Sequence, residues 1–249
     1  MEYKTAFITG SSSGIGEGLA RRLARRGVHV GLAARREDRL RAIADDIEAS
    51  GGRASVFPLD VSDPDVVTQT VQRADDELGG LDLVVANAGV TLGRWGGKAT
   101  YDQFAKVIDV NVRGAAATLV AVLPRMVERK RGHIVGVSSL AKYRATPKMA
   151  SYSASKAFLA TFLEGLRIDL QSVPIHVTDI RPGFVKTDIV DGMKSMPFLI
   201  EVDQAVDYME RGILARRRVV EFPPQMAAIA HGMGVVPPAL WDVATRKGR

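Results

Sequence analysis

The chain has 249 residues, of which 46% are hydrophobic, with a formal charge of +6 and no cysteine. This length and hydrophobic content allow a large buried core, and the lack of cysteine excludes disulfides, a thiolate nucleophile and a cysteine-ligated metal. Basic and acidic residues alternate along the helical segments and only 6% of residues are aromatic, which argues against a nucleic-acid binder. The four histidines show no metal-ligand spacing, so we predict no metal site.

No segment of the sequence is typical of membrane insertion. The opening MEYKTAFITG lacks the long apolar stretch of a secretory signal. The longest apolar run, GAAATLVAVLP, is too short to cross a bilayer. We therefore predict a cytoplasmic protein.

Short segments rich in Val, Ile and Phe alternate with longer helical segments. In chain order, the strand candidates are KTAFIT, VHVGLA, ASVFPL, LDLVVA, HIVGVS, IHVTDI and RRVVEF. Several helical segments end on glycine, as at Gly27, Gly51 and Gly79, and the longest is predicted as one helix over 101–130. Strands this apolar, separated by helices, predict a Rossmann-type α/β fold: a doubly wound, seven-stranded parallel sheet with helices on both faces.

The segment TGSSSGIG joins the first predicted strand to the first helix. Backbone amides at such a helix start can bind a diphosphate, with Gly10 for the tight turn, Gly14 for close approach and Gly16 for helix packing. A glycine-rich turn without a ligand is the alternative, but the position in the first strand–helix unit favours a dinucleotide. The predicted cofactor contacts are Gly10, Ser12, Ser13, Gly14, Ile15 and Gly16.

The second predicted strand ends in VGLAARRED, without the acidic residue that would bind a ribose 2′-hydroxyl. Ala34 occupies that position, and Arg35 and Arg36 follow it. Guanidinium groups match phosphate geometry, and basic residues in a first helical turn oppose the helix dipole, so an anionic partner is attractive there. A solvated helix start is the alternative. We predict NADP rather than NAD, with Arg35 and Arg36 at its 2′-phosphate.

Polar residues also follow the third and fourth predicted strands. Asp60 can accept a hydrogen bond from the adenine amino group, although it can equally serve as an N-terminal charge for the next helix. Asn87, Ala88 and Gly89 end the fourth strand at the carboxyl edge of the sheet, where such folds bind ligands. A plain turn is the alternative for these three residues.

The segment YSASK begins an otherwise ordinary amphipathic helix. Tyr152 and Lys156 are four residues apart, so both project from one helix face. On that face a tyrosine can exchange a proton while a nearby ammonium lowers its pKa. The alternative, for the pair alone, is a packed tyrosine beside a solvated lysine.

Together, in this order and spacing, these motifs resemble the short-chain dehydrogenase/reductase family, in its single-domain branch. The resemblance runs from about Lys4 to Thr187 and rests on TGSSSGIG, the Asp60-Val61 pair, NAG at 87–89, Asn111 in NVRG, Ser138-Ser139, YSASK and RPGFVKT. It implies a catalytic tetrad of Asn111, Ser139, Tyr152 and Lys156, in which Ser139 polarises the substrate and Lys156 also touches the cofactor ribose. It further implies cofactor contacts at Val61, Tyr152, Pro182, Gly183, Val185 and Thr187.

Two residues depart from the family's pattern. Many relatives have Gly three residues after the serine, where this chain has Lys142. Relatives that use NADP often have a basic residue at the position of Ser13. The second departure leaves the NADP prediction resting on Arg35 and Arg36.

The resemblance implies an NADP(H)-dependent oxidoreductase that interconverts a carbonyl and a secondary alcohol, with Tyr152 as acid/base. A catalytically idle NADP-binding sensor or scaffold is the alternative, but it predicts loss of Tyr152 or Lys156. A lyase or epimerase on the same platform usually has a larger substrate domain. The residues expected to line an apolar substrate are Trp95, Leu140, Tyr143, Met149, Phe184, Met193, Met196 and Phe198.

We predict one domain over residues 1–249. Relatives carry a mobile lid where this chain has residues 188–215, and residues 223–249 form a C-terminal appendage. The appendage is expected to pack on the body or on a partner subunit, with contact to a membrane surface as the alternative. By resemblance, the protein is expected to form a homodimer or homotetramer.

Overall fold

A computed structural model describes residues 3–93, 95–190 and 196–246. Its single sheet has seven parallel strands in the order β3-β2-β1-β4-β5-β6-β7. The strands are β1 (Thr5–Thr9), β2 (His29–Ala34), β3 (Arg53–Pro58), β4 (Leu83–Ala86), β5 (Gly132–Val137), β6 (Ile175–Pro182) and β7 (Val219–Phe222). The predicted Rossmann-type parallel sheet is confirmed, and each strand falls on a predicted segment.

Helices cover both faces of the sheet. They are α1 (Gly14–Arg25), α2 (Glu37–Ala49), α3 (Pro64–Glu77), α4 (Tyr101–Ile108), α5 (Ala115–Val120), α6 (Leu123–Glu128), α7 (Ala150–Asp169), α8 (Val202–Leu214), α9 (Pro224–Val235) and α10 (Pro238–Thr245). One core joins the sheet to α1, α2 and α8, and a second core joins the opposite face to α3, α5 and α7. Burial on both faces explains why the strands are so uniformly apolar.

The predicted glycine stops are present after three helices. Gly27, Gly51 and Gly79 have φ values of +84°, +81° and +72°, the left-handed region that glycine adopts without strain. At the other end of α3, the Asp63 side chain accepts hydrogen bonds from the amides of Asp65 and Val66 at 3.1 and 3.2 Å. Local sequence therefore sets these helix boundaries.

The helix predicted over 101–130 is present over Tyr101–Glu128, but it is not a regular α-helix throughout. A π-helical turn over Asp109–Gly114 separates α4 from α5, and a further break precedes α6. The π-helical turn directs the Asn111 side chain inward, where it forms hydrogen bonds with Val90 and Ser155, which lie outside this helix. These hydrogen bonds stabilise the irregular turn. A Cβ on Gly114 would lie 2.2 Å from the Val61 carbonyl oxygen, so this helix lies directly on the loop after β3.

The segment Tyr101–Glu128 is long and apolar enough to cross a membrane by length and composition. Its most apolar window is 56% buried, mainly against the sheet and its neighbouring helices. That burial is typical of a core helix in a folded domain.

The region after β7 forms helices α9 and α10. The Trp241 indole nitrogen of α10 donates to the Ala145 carbonyl at 3.0 Å, and the Arg144 guanidinium lies 5.5 Å from the centre of the Trp241 ring. In the region expected to form a lid, residues 202–214 are α8, and Glu210 on α8 pairs with Arg22 of α1 at 2.9 Å. Residues 191–195 of that region lie outside the described residues.

Candidate active site

A cleft of about 1150 Å³ opens at the carboxyl ends of the strands. It spans the point where the strand order reverses between β1 and β4, where doubly wound sheets bind ligands. Of the residues predicted for the cofactor and catalytic sites, only Asn111 does not line this cleft. The fold therefore brings together residues as far apart in the sequence as Gly10 and Thr187.

The glycine loop after β1 is shaped as its sequence predicts. Gly10 and Gly14 have φ values of +67° and +59°, and a Cβ on Gly16 would lie 2.4 Å from the Gly10 carbonyl oxygen. Ser13 precedes α1 in an extended conformation, and its side chain caps none of the described amides of the first turn. These bare amides and the missing Cβ atoms fit a bound diphosphate.

Asn87 supports this loop from the next strand. Its side-chain amide donates to the carbonyl oxygens of Thr9 and Gly10 at 2.9 and 3.3 Å. The Thr9 hydroxyl in turn accepts from the backbone amides of Asn87 and Ala88, both at 3.1 Å. Sequence reasoning missed Thr9, whose role appears only once β1 and β4 are known to be neighbours.

The two arginines after β2 lie differently. Arg36 turns back onto the glycine loop, and its guanidinium donates to the hydroxyls of Ser12 and Ser13 at 3.0 and 2.9 Å. Arg35 points toward Asp60, with 4.0 Å between the nearest nitrogen and oxygen. Arg36 and the two serines form one cluster of hydrogen-bond donors at this end of the cleft, which suits a phosphate.

Asp60 keeps its charge at this edge of the cleft. Burial raises the pKa of its carboxyl, but the hydrogen bonds from the Ser62 amide and hydroxyl, with the charge of Arg35, bring the pKa below its ordinary value. The two Ser62 bonds measure 3.0 and 2.9 Å to one carboxylate oxygen. The other oxygen carries the Arg35 contact described above.

Tyr152, Ser139 and Lys156 meet at the middle of the cleft. The Lys156 ammonium donates to the Val137 carbonyl at 2.8 Å and lies 5.6 Å from the centre of the Tyr152 ring. The Ser139 hydroxyl lies beside the Tyr152 phenol and lowers its pKa. It also lies 3.3 Å from the Pro182 carbonyl. The strand β5 thus places a hydroxyl and a carbonyl beside the face of α7 that carries the tyrosine and the lysine.

The protein alone does not lower the pKa of Tyr152, contrary to the expectation from the Tyr–Lys pair. Burial raises that pKa above its ordinary value, and the Ser139 hydroxyl opposes the rise. Burial also lowers the pKa of Lys156 to about 8, although Asp179 opposes this shift. The phenol is therefore protonated at neutral pH in the isolated protein.

Asn111 lies behind the cleft and is 1% exposed. Its side-chain oxygen accepts from the Val90 amide at 2.8 Å, and its side-chain nitrogen donates to the Val90 carbonyl and the Ser155 hydroxyl at 2.9 and 3.0 Å. The Ser155 hydroxyl donates to the Tyr152 carbonyl at 2.7 Å. Asn111 therefore joins the turn after β4 to the helix that carries Tyr152, and it lies outside the cleft that Tyr152 and Lys156 line.

The RPGFVKT segment lies across the cleft from the glycine loop. The Gly183 amide donates to the Phe222 carbonyl at 2.7 Å, which extends the pairing of β6 with β7. A Cβ on Gly14 would lie 3.1 Å from the Thr187 side-chain methyl. Pro182, Gly183, Val185 and Thr187 all line the cleft. The missing side chain at Gly14 keeps this passage open.

The end of the cleft that is predicted to hold the substrate is apolar, and α9 supplies part of its lining. Leu140 and Phe184 pack with Met226 and Met233 of that helix, and all four line the cleft together with Met149. Trp95, Tyr143, Met196 and Phe198 do not line the cleft, so their contact with a substrate stays a prediction, and Met193 lies outside the described residues. Sequence reasoning missed Met226 and Met233 because the segment 223–249 gave no clear helical periodicity.

The family profile described as short chain dehydrogenase matches residues 4–197. The chain belongs to the short-chain dehydrogenase family. Its motifs and its sheet order place the family's characteristic segments around one cleft, as the resemblance implied.

Several relatives of this short-chain dehydrogenase match it over 92–100% of its length. A protein of Myxococcus xanthus described as an uncharacterized oxidoreductase is 49% identical over 250 residues, covering 100% of this chain and 99% of its own. A solved short-chain dehydrogenase/reductase of Burkholderia phymatum in complex with NAD has a TM-score of 0.86 at 26% identity, covering 92% of this chain and 93% of its own. A short-chain dehydrogenase of Sphingobium yanoikuyae in complex with NADPH has a TM-score of 0.82 at 29% identity, covering 98% and 94%.

Proposed function

We propose that this short-chain dehydrogenase is an NADP(H)-dependent oxidoreductase that interconverts a carbonyl and a secondary alcohol, with Tyr152 as the acid/base. The observation that carries the proposal is the meeting of Tyr152, Ser139 and Lys156 in the cleft that also contains the glycine loop. The Sphingobium yanoikuyae relative binds NADPH and the Burkholderia phymatum relative binds NAD, so relatives alone do not choose between the two.

The residues present fit a nicotinamide dinucleotide. The glycine loop would hold the diphosphate, Arg36 with Ser12 and Ser13 would hold a 2′-phosphate, and the segment 182–187 would border the nicotinamide. Asp60 and Val61 would border the adenine. When bound, the nicotinamide supplies or accepts the hydride. Arg36 is the main reason to favour NADP.

Tyr152 would donate its phenolic proton to the substrate oxygen during carbonyl reduction and accept it back during alcohol oxidation. Its raised pKa keeps it protonated at neutral pH, which suits the reductive direction. Ser139 would donate a second hydrogen bond to the same oxygen and stabilise the charge that develops there. Lys156, held by the Val137 carbonyl, places a positive charge near the phenolate that forms.

The substrate would be an apolar ketone, aldehyde or secondary alcohol, because Leu140, Phe184, Met226 and Met233 line that end of the cleft. We further propose that the chain is one domain, that the region 188–215 contains a lid over the substrate, and that the protein is a cytoplasmic homodimer or homotetramer. Large apolar side chains exposed on the helices near Asn111 and Tyr152 support the oligomer, among them Phe104, Val120, Phe158 and Ile168.

The test is NADPH oxidation over a panel of apolar ketones and aldehydes by the wild type and by Tyr152→Phe. The variant should bind NADPH normally and lose about 10²- to 10⁴-fold in kcat, the usual contribution of general acid–base catalysis. Lys148→Gln, a change of an exposed cleft-rim residue, is the control for a nonspecific loss. A Tyr152→Phe enzyme that turns over at the wild-type rate excludes the mechanism. A wild type that binds NADPH but reduces nothing favours the sensor.

A further inference from the structure

A chain of polar side chains runs from Ser138, which lines the cleft at the end of β5, to helix α9. It begins at Ser138, whose hydroxyl donates to the Asp179 carboxylate, and Asp179 also accepts from the Arg181 Nε at 2.6 Å. The Arg181 Nη1 donates to the Tyr143 hydroxyl at 2.6 Å and to the Glu221 carboxylate at 3.0 Å. We call Asp179, Arg181, Tyr143 and Glu221 the arginine network.

The arginine network holds both ends of the short segment that carries Ser139. At one end, Ser138 bonds to Asp179 through its hydroxyl and to the Ile180 carbonyl through its amide at 2.8 Å. At the other end, the Tyr143 hydroxyl donates to Glu221 at 2.5 Å. Between them lies a single 3-10 turn, Leu140–Lys142, so the segment has little freedom to shift along the cleft.

Stability alone is a poor reason for this arrangement. The side chains of Asp179, Arg181 and Glu221 are only 5%, 12% and 18% exposed. Taking such charges out of water costs several kcal/mol per ion, and replacement by well-packed apolar residues is often neutral or stabilising by about 1–4 kcal/mol. A buried ionic network of this kind fixes geometry more effectively than it stabilises the fold.

The network also extends to the substrate end of the cleft. The exposed His231 of α9 lies 2.7 Å from the second Glu221 oxygen, and its ring lies 4.4 Å from the Tyr143 ring. The same helix carries Met226 and Met233, which line the cleft. Tyr143 and Glu221 therefore connect the segment of Ser139 to the helix that walls the substrate.

We propose that Arg181, Tyr143 and Glu221 are positioning residues, which hold Ser139 beside Tyr152 and tie that geometry to the substrate wall on α9. The proposal rests on the proposed function in one respect, namely the assignment of Ser139 and Tyr152 to the reaction. None of the three positioning residues touches the reacting atoms. Tyr143, predicted from sequence to touch the substrate, acts instead from behind the cleft.

Tyr143→Phe is the most selective test because it removes one hydroxyl and leaves every charge of the network in place. We expect kcat to fall about 10- to 100-fold, the scale of a 1 Å misplacement in an active site, with the KM for NADPH unchanged. The Lys156 ammonium and the Asp179 carboxylate remain, so the field at Tyr152 is preserved. Unchanged kcat in a folded Tyr143→Phe protein overturns the proposal.

A double-mutant cycle with Ser139→Ala distinguishes positioning from a general structural effect. If Tyr143 acts through Ser139, the double variant should be no slower than Ser139→Ala alone. If the two losses multiply, Tyr143 does not act through Ser139 and the proposal is wrong. Arg181→Lys should retain more activity than Arg181→Met, although the second variant leaves two buried carboxylates unpaired and can fail to fold.

A measurement without cofactor or substrate separates this proposal from the proposed function. In tyrosine-labelled protein, the ¹³Cζ resonance of Tyr152, assigned with Tyr152→Phe, reports its titration. Because the Ser139 hydroxyl opposes the rise in the pKa of Tyr152, Ser139→Ala should raise that pKa further, and Tyr143→Phe should raise it by part of the same shift. A Tyr143→Phe titration equal to that of the wild type refutes the positioning role, whether or not a substrate has been found.

Tyr208→Phe is the matched control. Tyr208 lies on α8, and its ring stacks on that of Phe222 with 5.2 Å between ring centres. Phe222 directly follows Glu221 on β7, so the two side chains point to opposite faces of the sheet. Loss of its hydroxyl should leave kcat and the Tyr152 titration unchanged. If Tyr208→Phe lowers kcat as much as Tyr143→Phe does, the effect is general to this end of the sheet and the proposal fails.

Discussion

We predict that cofactor choice depends on Arg36 more than on Arg35, and Arg36→Ala tests this. The Arg36 guanidinium lies within 3.0 Å of both serine hydroxyls of the glycine loop, where a 2′-phosphate would add a charged acceptor. A hydrogen bond to a charged group contributes about 1.5–3 kcal/mol. Since each 1.4 kcal/mol is tenfold, the dissociation constant for NADPH should rise roughly 10- to 150-fold.

The matched variant is Arg35→Ala. Arg35 is 65% exposed, and its 4.0 Å contact with Asp60 is a loose surface pair. Such pairs contribute a median of about 0–1 kcal/mol, so the affinity for NADPH should fall no more than about fivefold. NADH lacks the 2′-phosphate, and its affinity should be nearly unchanged in both variants.

The assay is a fluorescence titration of each variant with NADPH and with NADH, at one fixed ionic strength because these contacts are screened by salt. The ratio of the two dissociation constants is the quantity of interest. If Arg36→Ala weakens NADPH and NADH equally, the guanidinium does not bind a 2′-phosphate. If Arg35→Ala has the larger effect, the assignment of the two arginines must be exchanged.

Three further predictions concern the loop, the core and pH. Gly16→Ala should lower cofactor affinity at least about tenfold and destabilise the fold by about 1–3 kcal/mol, because its Cβ would lie 2.4 Å from the Gly10 carbonyl. Ser153→Ala should raise the free energy of unfolding by about 1 kcal/mol, because this buried hydroxyl has no hydrogen-bond partner among the described residues. Burial, with repulsion from His176 and Arg216, lowers the pKa of His133 to about 3, so the unfolded chain takes up a proton that the folded chain does not. Stability should therefore fall as pH drops from about 6.5 toward 3, by up to about 1.4 kcal/mol per pH unit from this residue.

Chemical denaturation and thermal melts, with cofactor titrations, check all three. Gly165→Ala, at a helical glycine with open space around it, is the control for Gly16 and should stabilise slightly. Ser155→Ala should destabilise, because its hydroxyl bonds to Tyr152 and Asn111; equal effects at positions 153 and 155 contradict the prediction. His133→Asn should reduce the pH slope by one proton, and an unchanged slope shows that His133 is not its source.

The sheet and the glycine loop were predictable because their signals are local. Apolar runs of strand length and the left-handed glycines after the helices can each be recognised within a few residues. The π-helical turn was not, since its cause is the bonding of Asn111 to Val90 and Ser155, 21 and 44 residues away in the sequence. The arginine network could not be predicted from the sequence for the same reason. It joins residues on β6, β7 and the loop after β5, which become neighbours only in the folded sheet.

The sequence also could not predict which of the two arginines contacts the glycine loop. Arg35 and Arg36 are adjacent and chemically identical, and only their side-chain directions separate them. The same holds for the apolar substrate wall, where Trp95 and Phe198 are 50% and 48% exposed while Met226 and Met233 line the cleft. Composition identifies such candidates, but packing selects among them.

The close contact between Gly114 and the Val61 carbonyl fixes one wall of the cleft, which consists of the Asn111 turn and the loop after β3. No side chain fits between that turn and that loop, so the adenine border and the Asn111 turn move as one piece, and a substitution there disturbs both at once. On the opposite wall, side chains rather than backbone line the cleft, among them Leu140, Met149 and Met233. New substrate preferences in descendants of this chain should therefore arise on that second wall, where a side chain can change without a backbone clash.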